Sequence, residues 1–290
     1  IFGNASLIAA AALVPVVVLY RRREWSGSQR LFWDVIAIAM TLWIVGHIGW
    51  VYDQSWLRWH TLFSICAGIG PLIALLARPH RGARAGFVAP TAMTIGAYWL
   101  LAIFLYAYFV LVPSLMTDPD ARLEAELAGA QARLLYFVQY NRLLLLAGLG
   151  AAVWFARGTD WRSTYLKMGV GVALGFVLRI GANQAIARGD YQVGSVHDLA
   201  WIAPWLFYAW AARDAPASPA RAPESDDHHE ALSVSLLVVP VLLIPFIGYS
   251  GGYSGLSFES GGATVDSIRL FVTSLATVLG LGIVTLRLAG

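Results

Sequence analysis

Two arginines within apolar stretches are the residues whose types and spacing offer the clearest chemistry in this sequence. Arg142 lies in "YFVQYNRLLLLAGLG" and Arg179 lies in "GFVLRIGANQAIARGDY". Gln139 precedes Arg142 by three residues. Asn183 follows Arg179 by four residues, and both spacings place the amide on the same helix face as its arginine. Two guanidiniums beside amide donors are suited to an anionic group such as a carboxylate or a phosphate.

A histidine lies in another apolar stretch, "LWIVGHIGWVYD", which runs from residue 42 to residue 53. Trp43 and Trp50 precede and follow His47 by four and three residues, so the three rings share a helix face. His197 and Asp198 lie at the start of a later apolar stretch, at residues 196–212. We therefore expect one outward-opening, ligand-binding layer formed by His47, Arg142, Arg179 and Asn183, supported by Gln139, Trp50, His197 and Asp198.

The same residues have alternative explanations that need no anionic ligand. Ion pairs between the arginines and acids of neighbouring helices would also explain their burial, the candidate acids being Asp53, Glu126, Asp190 and Asp198. His47 is suited to a hydrogen bond across a helix interface, with Arg179 as the candidate partner, and this role needs no ligand. A haem held by His47 and by His60 or His197 is a third alternative.

The composition indicates a polytopic α-helical membrane protein. Hydrophobic residues make up 58% of the 290 residues and charged residues only 13%, whereas soluble domains carry about a quarter charged residues. The apolar runs are roughly 20 residues long, which is enough to cross a hydrocarbon core of about 30 Å. The basic pI of about 9.1 comes largely from arginines in loops between these runs, so we expect no nucleic-acid partner.

Nine membrane spans are predicted, at roughly residues 2–20, 31–52, 60–77, 87–112, 132–155, 165–187, 196–212, 231–249 and 267–288. Thirteen basic residues fall on one side of this topology and five on the other. The excess of positive charge marks the cytoplasmic side, which places the N-terminus outside and the C-terminus in the cytoplasm. We expect a multi-pass protein of a bacterial inner membrane.

The segment at residues 213–230, "RDAPASPARAPESDDHHE", is rich in Pro, Ala, Ser and acidic residues and is typical of a flexible linker. It divides the chain into a seven-helix membrane bundle at residues 1–212 and a two-helix hairpin at residues 231–290. This arrangement of seven helices followed by two is the predicted domain organisation. No internal repeat accompanies it, which disfavours a transporter built on inverted repeats.

No catalytic motif is present in the sequence. The phosphate-binding pattern G-x-x-x-x-G-K-[ST] and the zinc pattern H-E-x-x-H are both absent. Cys66 is the one cysteine, which excludes a disulfide framework and a cysteine-based metal cluster. We therefore predict no catalytic residue, no metal site and no cofactor in this chain, with haem kept as the alternative described above.

Two of the predicted spans resemble the polytopic N-terminal membrane regions that precede GGDEF and EAL domains in bacterial cyclic-di-GMP signalling proteins. The second span carries the pattern G-[DH]-x-x-W through Gly46, His47 and Trp50, with Tyr52 one place before its usual position. The seventh, "HDLAWIAPWLFYAWAAR", is similar through its Asp, Trp and Pro residues. The chain departs from these proteins because it contains no GGDEF, EAL or kinase motif.

The resemblance implies a sensory module that shifts a two-state equilibrium in a cytoplasmic output domain, expected beyond residue 290 and dimeric in such proteins. That output domain would be a diguanylate cyclase, a phosphodiesterase or a kinase. A homodimer is compatible with this interpretation. We thus predict a membrane sensor of an outward-accessible anionic or amphipathic small molecule. The alternatives are a stand-alone transporter or permease for an anionic solute and a haem-containing redox or gas sensor.

Overall fold

The computed structural model describes residues 2–53, 56–81, 88–112, 141–192, 194–217, 228–250 and 262–289. Within these ranges every regular element is helical and none is a strand, which confirms the predicted all-α class. Nine α-helices are described: α1 Phe2–Arg21, α2 Gly27–Tyr52, α3 Leu57–Ala74, α4 Val88–Tyr106, α5 Asn141–Phe155, α6 Trp161–Arg188, α7 Leu199–Arg213, α8 His228–Ser250 and α9 Gly262–Ala289.

Five stretches of the described chain are long and apolar enough to cross a membrane. They are Gly3–Glu24, Gly27–Tyr52, Trp59–Ala77, Trp161–Ala185 and Ser267–Arg287. Three further apolar helices have shorter described apolar segments, namely Thr91–Tyr106, Asn141–Phe155 and Leu237–Tyr249. These lengths and compositions are those of a membrane-associated protein.

Residue contacts divide the chain into two compact units. Unit 1 comprises Ile1–Val88 and Val138–Pro223, and unit 2 comprises Ala89–Phe137 and Glu224–Gly290. The contact-defined unit 2 groups α4 with α8 and α9, and the predicted organisation of seven membrane helices followed by two stays a prediction. All the predicted site residues that the structure describes lie in unit 1.

Glycines allow α2 and α3 of unit 1 to pack closely. A Cβ atom at Gly46 would lie 2.6 Å from the Phe63 ring and 3.2 Å from the backbone Cα of His60. At Gly49 an added Cβ would collide with the Trp56 ring. Any larger side chain would push the helices apart, so these glycines set the interhelix distance at which His47 and His60 meet.

Helices α6 and α7 of unit 1 are held together in the same way. Gly171 faces Phe207 and Gly175 faces Pro204, and an added Cβ at either glycine would collide with the facing side chain. Because Gly171, Gly175 and Arg179 are spaced by four residues, they lie on one face of α6. This close antiparallel packing brings Arg179 against the beginning of α7.

Charged residues connect four helix termini at one end of unit 1. The carboxylate of Asp34 on α2 accepts hydrogen bonds from Arg22 at 2.8 and 2.9 Å and lies 3.6 Å from Arg30. Arg21 donates to the carbonyl oxygens of Ala212 at 3.1 Å and Ala215 at 2.8 Å, and also to that of Arg213. A cation at a helix C-terminus satisfies carbonyls that have no partner within the helix, so Arg21 fixes the end of α7 to α1.

Asp214 fixes the same end of α7 to α6. Its carboxylate accepts hydrogen bonds from Arg213 Nε at 2.8 Å, Lys167 Nζ at 2.8 Å and Trp210 Nε1 at 2.6 Å. The donors Arg213 and Lys167 hold the pKa of the Asp214 carboxyl well below its usual range.

We expect these hydrogen bonds to make stability depend on acidic pH. A carboxyl group whose pKa is depressed by folding stabilises the protein above its unfolded pKa of about 3.9, and this contribution is lost as the pH falls toward the folded value. Thermal unfolding between pH 7 and pH 3 in detergent should therefore show a steeper loss of stability below about pH 4 for the wild type than for Asp214→Asn. Parallel curves for the two proteins would contradict this role of Asp214.

Unit 2 has an apolar core of its own. Its buried residues Phe104, Tyr108, Ile244 and Ala276 come from the α4 segment, α8 and α9. Tyr108 lies in a π-helical turn, Ala107–Leu111, that continues α4, and its hydroxyl donates to the Gly248 carbonyl at 3.2 Å.

Candidate functional site

Arg179 is the most deeply buried arginine of the predicted layer, with 7% of its surface exposed. The carbon of its guanidinium lies 2.9 Å from the centroid of the Trp201 ring, at the start of α7. This cation–π contact compensates for part of the charge that burial removes from water. The Nε atom of Arg179 is buried and has no hydrogen-bond partner.

Arg142 is half-buried and is the second described residue of α5. Its neighbour Asn141 is buried and donates through Nδ2 to the Gly68 carbonyl of α3 at 2.6 Å, which fixes this part of α5 against α3. The Nη1 atom of Arg142 is buried without a hydrogen-bond partner. The guanidinium interacts electrostatically with the buried Tyr208 of α7.

Arg142 and Arg179 carry like charges, and Arg142 acts unfavourably on the charged form of Arg179. Within the described residues no carboxylate forms an ion pair with either arginine. Of the acids considered as partners, Asp198 is occupied by other donors and Glu126 lies outside the described ranges. The described part of unit 1 therefore contains one buried and one half-buried arginine, neither of which has a counter-ion there.

Asp198 belongs to a local network beside this pair. It is 4% exposed and accepts hydrogen bonds from the Tyr191 hydroxyl at 2.7 Å and from the backbone N–H of Gly194 at 2.7 Å. Burial, followed by the hydrogen bond to Asp198, raises the pKa of Tyr191 to about 12. Tyr191 also interacts electrostatically with Arg179, so this loop lies against the arginine site.

His47 forms its hydrogen bond with another histidine rather than with Arg179. Its Nδ1 atom lies 3.3 Å from Nε2 of His60 on α3. Trp43 stacks on His47 with ring centroids 4.5 Å apart, and Trp50 stacks on His60 at 5.1 Å. His47 thus links α2 to α3, as the interhelix alternative for this residue predicted.

The pair does not have the geometry of a bis-histidine haem site. Haem ligation places the iron between two imidazole nitrogens, one on each face of the porphyrin. Here Nδ1 of His47 and Nε2 of His60 are in direct contact, and tryptophan rings cover both imidazoles. Across the described ranges no group of three or more His, Cys, Asp or Glu residues is arranged to hold a metal ion.

One face of α7 contacts both the arginine pair and the cluster of aromatic rings around His47 and His60. Trp201, Trp205 and Tyr208 are spaced by four and three residues and therefore project from the same side of the helix. Trp201 lies against Arg179, and Tyr208 interacts with Arg142. Trp205 contacts Trp43 of the histidine cluster, with ring centroids 4.3 Å apart. A displacement of α7 would consequently be felt at both sites.

The remaining predicted residues are placed as follows. His197 is half-buried, and its Nδ1 lies 3.2 Å from Ser195 Oγ within the same turn. Asn183 is half-buried within α6. Gln139 lies outside the described residues.

Sequence reasoning missed three aromatic partners of the arginines: Trp201, Tyr191 and Tyr208. The sequence could have indicated the two partners on α7, because Trp201 and Tyr208 are seven residues apart and so share a helix face. No pattern indicated which helix that face would contact. Comparison of the chain with protein-family models, curated proteins and solved structures gives no match.

The histidine pair is expected to contribute measurably to stability. His60→Ala removes the partner of a buried nitrogen on His47, and such a loss destabilises proteins by about 1–3 kcal/mol. His197→Ala is the matched control, because half-buried His197 contacts only Ser195 in its own turn and the Tyr191 ring at 6.4 Å, and the change should stay within about 0.5 kcal/mol. Thermal unfolding in detergent compares the two variants. Equal effects would show that the contact between the imidazoles does not stabilise α2 against α3.

Proposed function

We propose that the chain is the membrane part of a sensory protein, in which unit 1 binds a small anion between Arg142 and Arg179. The observation that carries this proposal is that buried Arg179 and half-buried Arg142 each have a buried nitrogen without a hydrogen-bond partner, and neither has a counter-ion in the described residues. A buried charge costs several kcal/mol unless it is paired. An anion bound between the two arginines would supply the missing hydrogen-bond acceptors and reduce their mutual repulsion.

The contacts of α7 support a relay from this site. Trp201 and Tyr208 lie beside the arginines, while the other end of α7 is fixed by Arg21 and Asp214. Residues 213–230, predicted as a cytoplasmic linker, follow directly. An anion that changes the position of α7 would therefore change how the linker leaves the bundle. The anion shifts this equilibrium only as far as it binds one position more tightly than the other.

The proposed topology is the one predicted from the sequence. It has nine spans in a bacterial inner membrane, with the N-terminus outside and the C-terminus in the cytoplasm. The ion pairs of Arg22, Arg30 and Lys167 support it, because they cluster at the end of unit 1 predicted to face the cytoplasm. The layout resembling cyclic-di-GMP signalling proteins suggests a cytoplasmic output domain, in dimeric form, as the partner.

Anion binding without transport is the expected behaviour of the purified chain. In phosphatidylcholine nanodiscs, phosphate or sulfate should raise the unfolding temperature relative to chloride at the same ionic strength, because the anion binds the folded state only. In proteoliposomes the same anions should show no net flux. An unchanged unfolding temperature with every anion would contradict the site.

Net anion flux across the proteoliposome membrane distinguishes the proposed sensor from the alternative function, an anion permease. Two buried arginines between helices also suit the binding site of a transporter for an anionic solute. Net flux that Arg179→Gln abolishes would contradict the sensor and establish a permease. Binding that Arg179→Gln abolishes, with no flux in the wild type, supports the sensor.

A further inference from the structure

We infer that the open face of α5 and the turn that follows it bind an acidic phospholipid, with the phosphate of its head group on Arg157. This inference concerns the surrounding bilayer and does not depend on the anion site proposed above. Three features of the described residues carry it: an exposed apolar face as long as one lipid leaflet, exposed aromatic side chains at its end, and an arginine there without a described carboxylate partner.

The first feature is the open face of α5. Leu145 and Leu149 are buried on one side of this helix. On the other side Leu144 and Phe155 are 60% and 63% exposed, and a Cβ added at Gly150 would meet no atom within 4 Å. Leu144 and Phe155 are eleven residues apart, which corresponds to about 17 Å of helix. This length matches one leaflet of the hydrocarbon core, which is roughly 15 Å thick.

The second feature is the aromatic end of this face. Trp154 and Phe155 are the last two residues of α5, and Trp154 is 60% exposed. Only five residues separate α5 from α6, and Lys167 near the start of α6 binds Asp214. The aromatic end of α5 therefore lies at the charged end of unit 1, which is predicted to face the cytoplasm. Tryptophans are enriched where the hydrocarbon core meets the lipid head groups.

The third feature is the arginine that follows these rings. Gly158 has a φ of +82°, the left-handed conformation that commonly ends helices. Arg157 lies just before it, and the carbon of its guanidinium is 3.2 Å from the centroid of the Trp154 ring. Within the described part of the chain Arg157 forms no ion pair. Its exposed N–H edge can therefore donate charge-assisted hydrogen bonds to a phosphate group.

The charges of the connection between α5 and α6 define the head group. Arg157, Asp160 and Arg162 are all exposed, and together they carry one net positive charge. This charge suits a phosphodiester with a single negative charge, such as that of phosphatidylglycerol. Other cations at this end of unit 1 have carboxylate partners among the described residues: Arg21, Arg22, Arg30, Lys167 and Arg213.

The layout of the face matches the layout of a lipid. The face is apolar along the length of one leaflet and carries its cation only at the end, as a partner with acyl chains and one anionic head requires. The acyl chains would lie between Leu144 and Phe155, and the phosphate would lie at Arg157. A second copy of the chain is the alternative occupant, and the experiment distinguishes it by its mass.

Native mass spectrometry of the full chain in detergent micelles tests the head-group preference. The probes are phosphatidylglycerol and phosphatidylcholine with identical acyl chains. We expect phosphatidylglycerol to bind roughly fivefold more tightly, the factor that one arginine near an acidic lipid surface contributes. Arg157→Gln should bind the two lipids equally. Sulfate has no acyl chains, so it should give no adduct that depends on Arg157.

Arg30→Gln is the matched control, because Arg30 is an exposed arginine at the same end of unit 1 but lies 3.6 Å from Asp34. It should retain the preference for phosphatidylglycerol. Without acidic lipid, Arg157→Gln should unfold at the wild-type temperature, which excludes misfolding as the cause of its lost preference. Equal binding of both lipids by the wild type, or a preference that Arg157→Gln retains, would overturn the inference.

Photocrosslinking locates the bound lipid on the chain. Phosphatidylglycerol with a diazirine group in its acyl chain should label the segment from Leu144 to Phe155 in the wild type. Trp154→Ala should reduce this labelling, because it removes the ring that supports Arg157. Labelling confined to other helices would contradict the inference. A dimer without bound lipid that Trp154→Ala dissociates would assign the face to a second copy and overturn it as well.

Discussion

Replacing Arg179 by methionine is expected to stabilise the protein when no binding anion is present. The change removes a buried charge that is disfavoured by the like charge of Arg142 and retains an apolar contact with the Trp201 ring. Replacing a buried ion pair by apolar side chains of similar volume is often neutral or stabilising by about 1–4 kcal/mol, and Arg179 has no described counter-ion whose attraction would be lost. Thermal unfolding in chloride buffer should therefore give a higher midpoint for Arg179→Met than for the wild type.

The difference in unfolding midpoint between Arg179→Met and the wild type should disappear when sulfate is added. Sulfate binds only the folded wild type at this site, so the wild-type midpoint should rise with sulfate concentration while that of Arg179→Met stays constant. Arg157→Met is the control, because this exposed arginine should change neither curve. A large loss of stability in Arg179→Met at every sulfate concentration would show that Arg179 holds the helices together without a ligand.

Replacing Gly175 by alanine is expected to disrupt the packing of α6 against α7. The new Cβ would lie 3.0 Å from Cδ of Pro204 and closer still to its Cγ, and 3.3 Å from the carbonyl oxygen of Ala200. A proline ring cannot rotate away, so the helices must separate, and such overpacking destabilises by about 1–3 kcal/mol. Because Arg179 lies one turn further along α6, sulfate binding should weaken as well.

Gly181→Ala provides the matched control on the same helix. No atom of another element lies within 4 Å of a Cβ at Gly181, and alanine favours a helix over glycine by up to about 1 kcal/mol. Its unfolding midpoint should equal or exceed that of the wild type. If Gly175→Ala behaved like Gly181→Ala, the close packing of α6 and α7 would not hold Arg179 against Trp201.

The helices of the fold could be predicted from the sequence because each apolar run is long and ends in polar residues. The span predicted at residues 31–52 corresponds to α2 Gly27–Tyr52, and the one predicted at 267–288 corresponds to α9 Gly262–Ala289. The starts differ by a few residues since polar first turns, such as that of Gly27–Arg30, are helical without being apolar. Such turns carry no hydrophobic signal.

The division into units could not be predicted in the same way. The linker composition at residues 213–230 predicts a boundary after seven helices, which stays a prediction, and composition describes the chain only locally. The contact-defined unit 2 combines α4 with α8 and α9. Contacts between segments more than a hundred residues apart depend on which helix faces match in shape, and a single sequence does not show this.

The candidate site was predictable only in part. The cost of a buried charge identified Arg142 and Arg179 as residues of interest, and helical spacing placed Trp43 and Trp50 beside His47. The partners across helix interfaces were not predictable. His47 meets His60 because Gly46 lets α2 approach α3, and Arg179 meets Trp201 because Gly175 lets α6 approach α7.

Anomalous diffraction from crystals of the full chain soaked in selenate tests the central claim most directly. Selenate is a heavier analogue of sulfate whose position can be located without reference to the protein atoms. We predict one anomalous peak within hydrogen-bonding reach of both Arg142 Nη1 and Arg179 Nε. Its absence, with the guanidiniums instead paired to carboxylates of residues 113–140, would contradict the account and show that the two arginines serve helix packing alone.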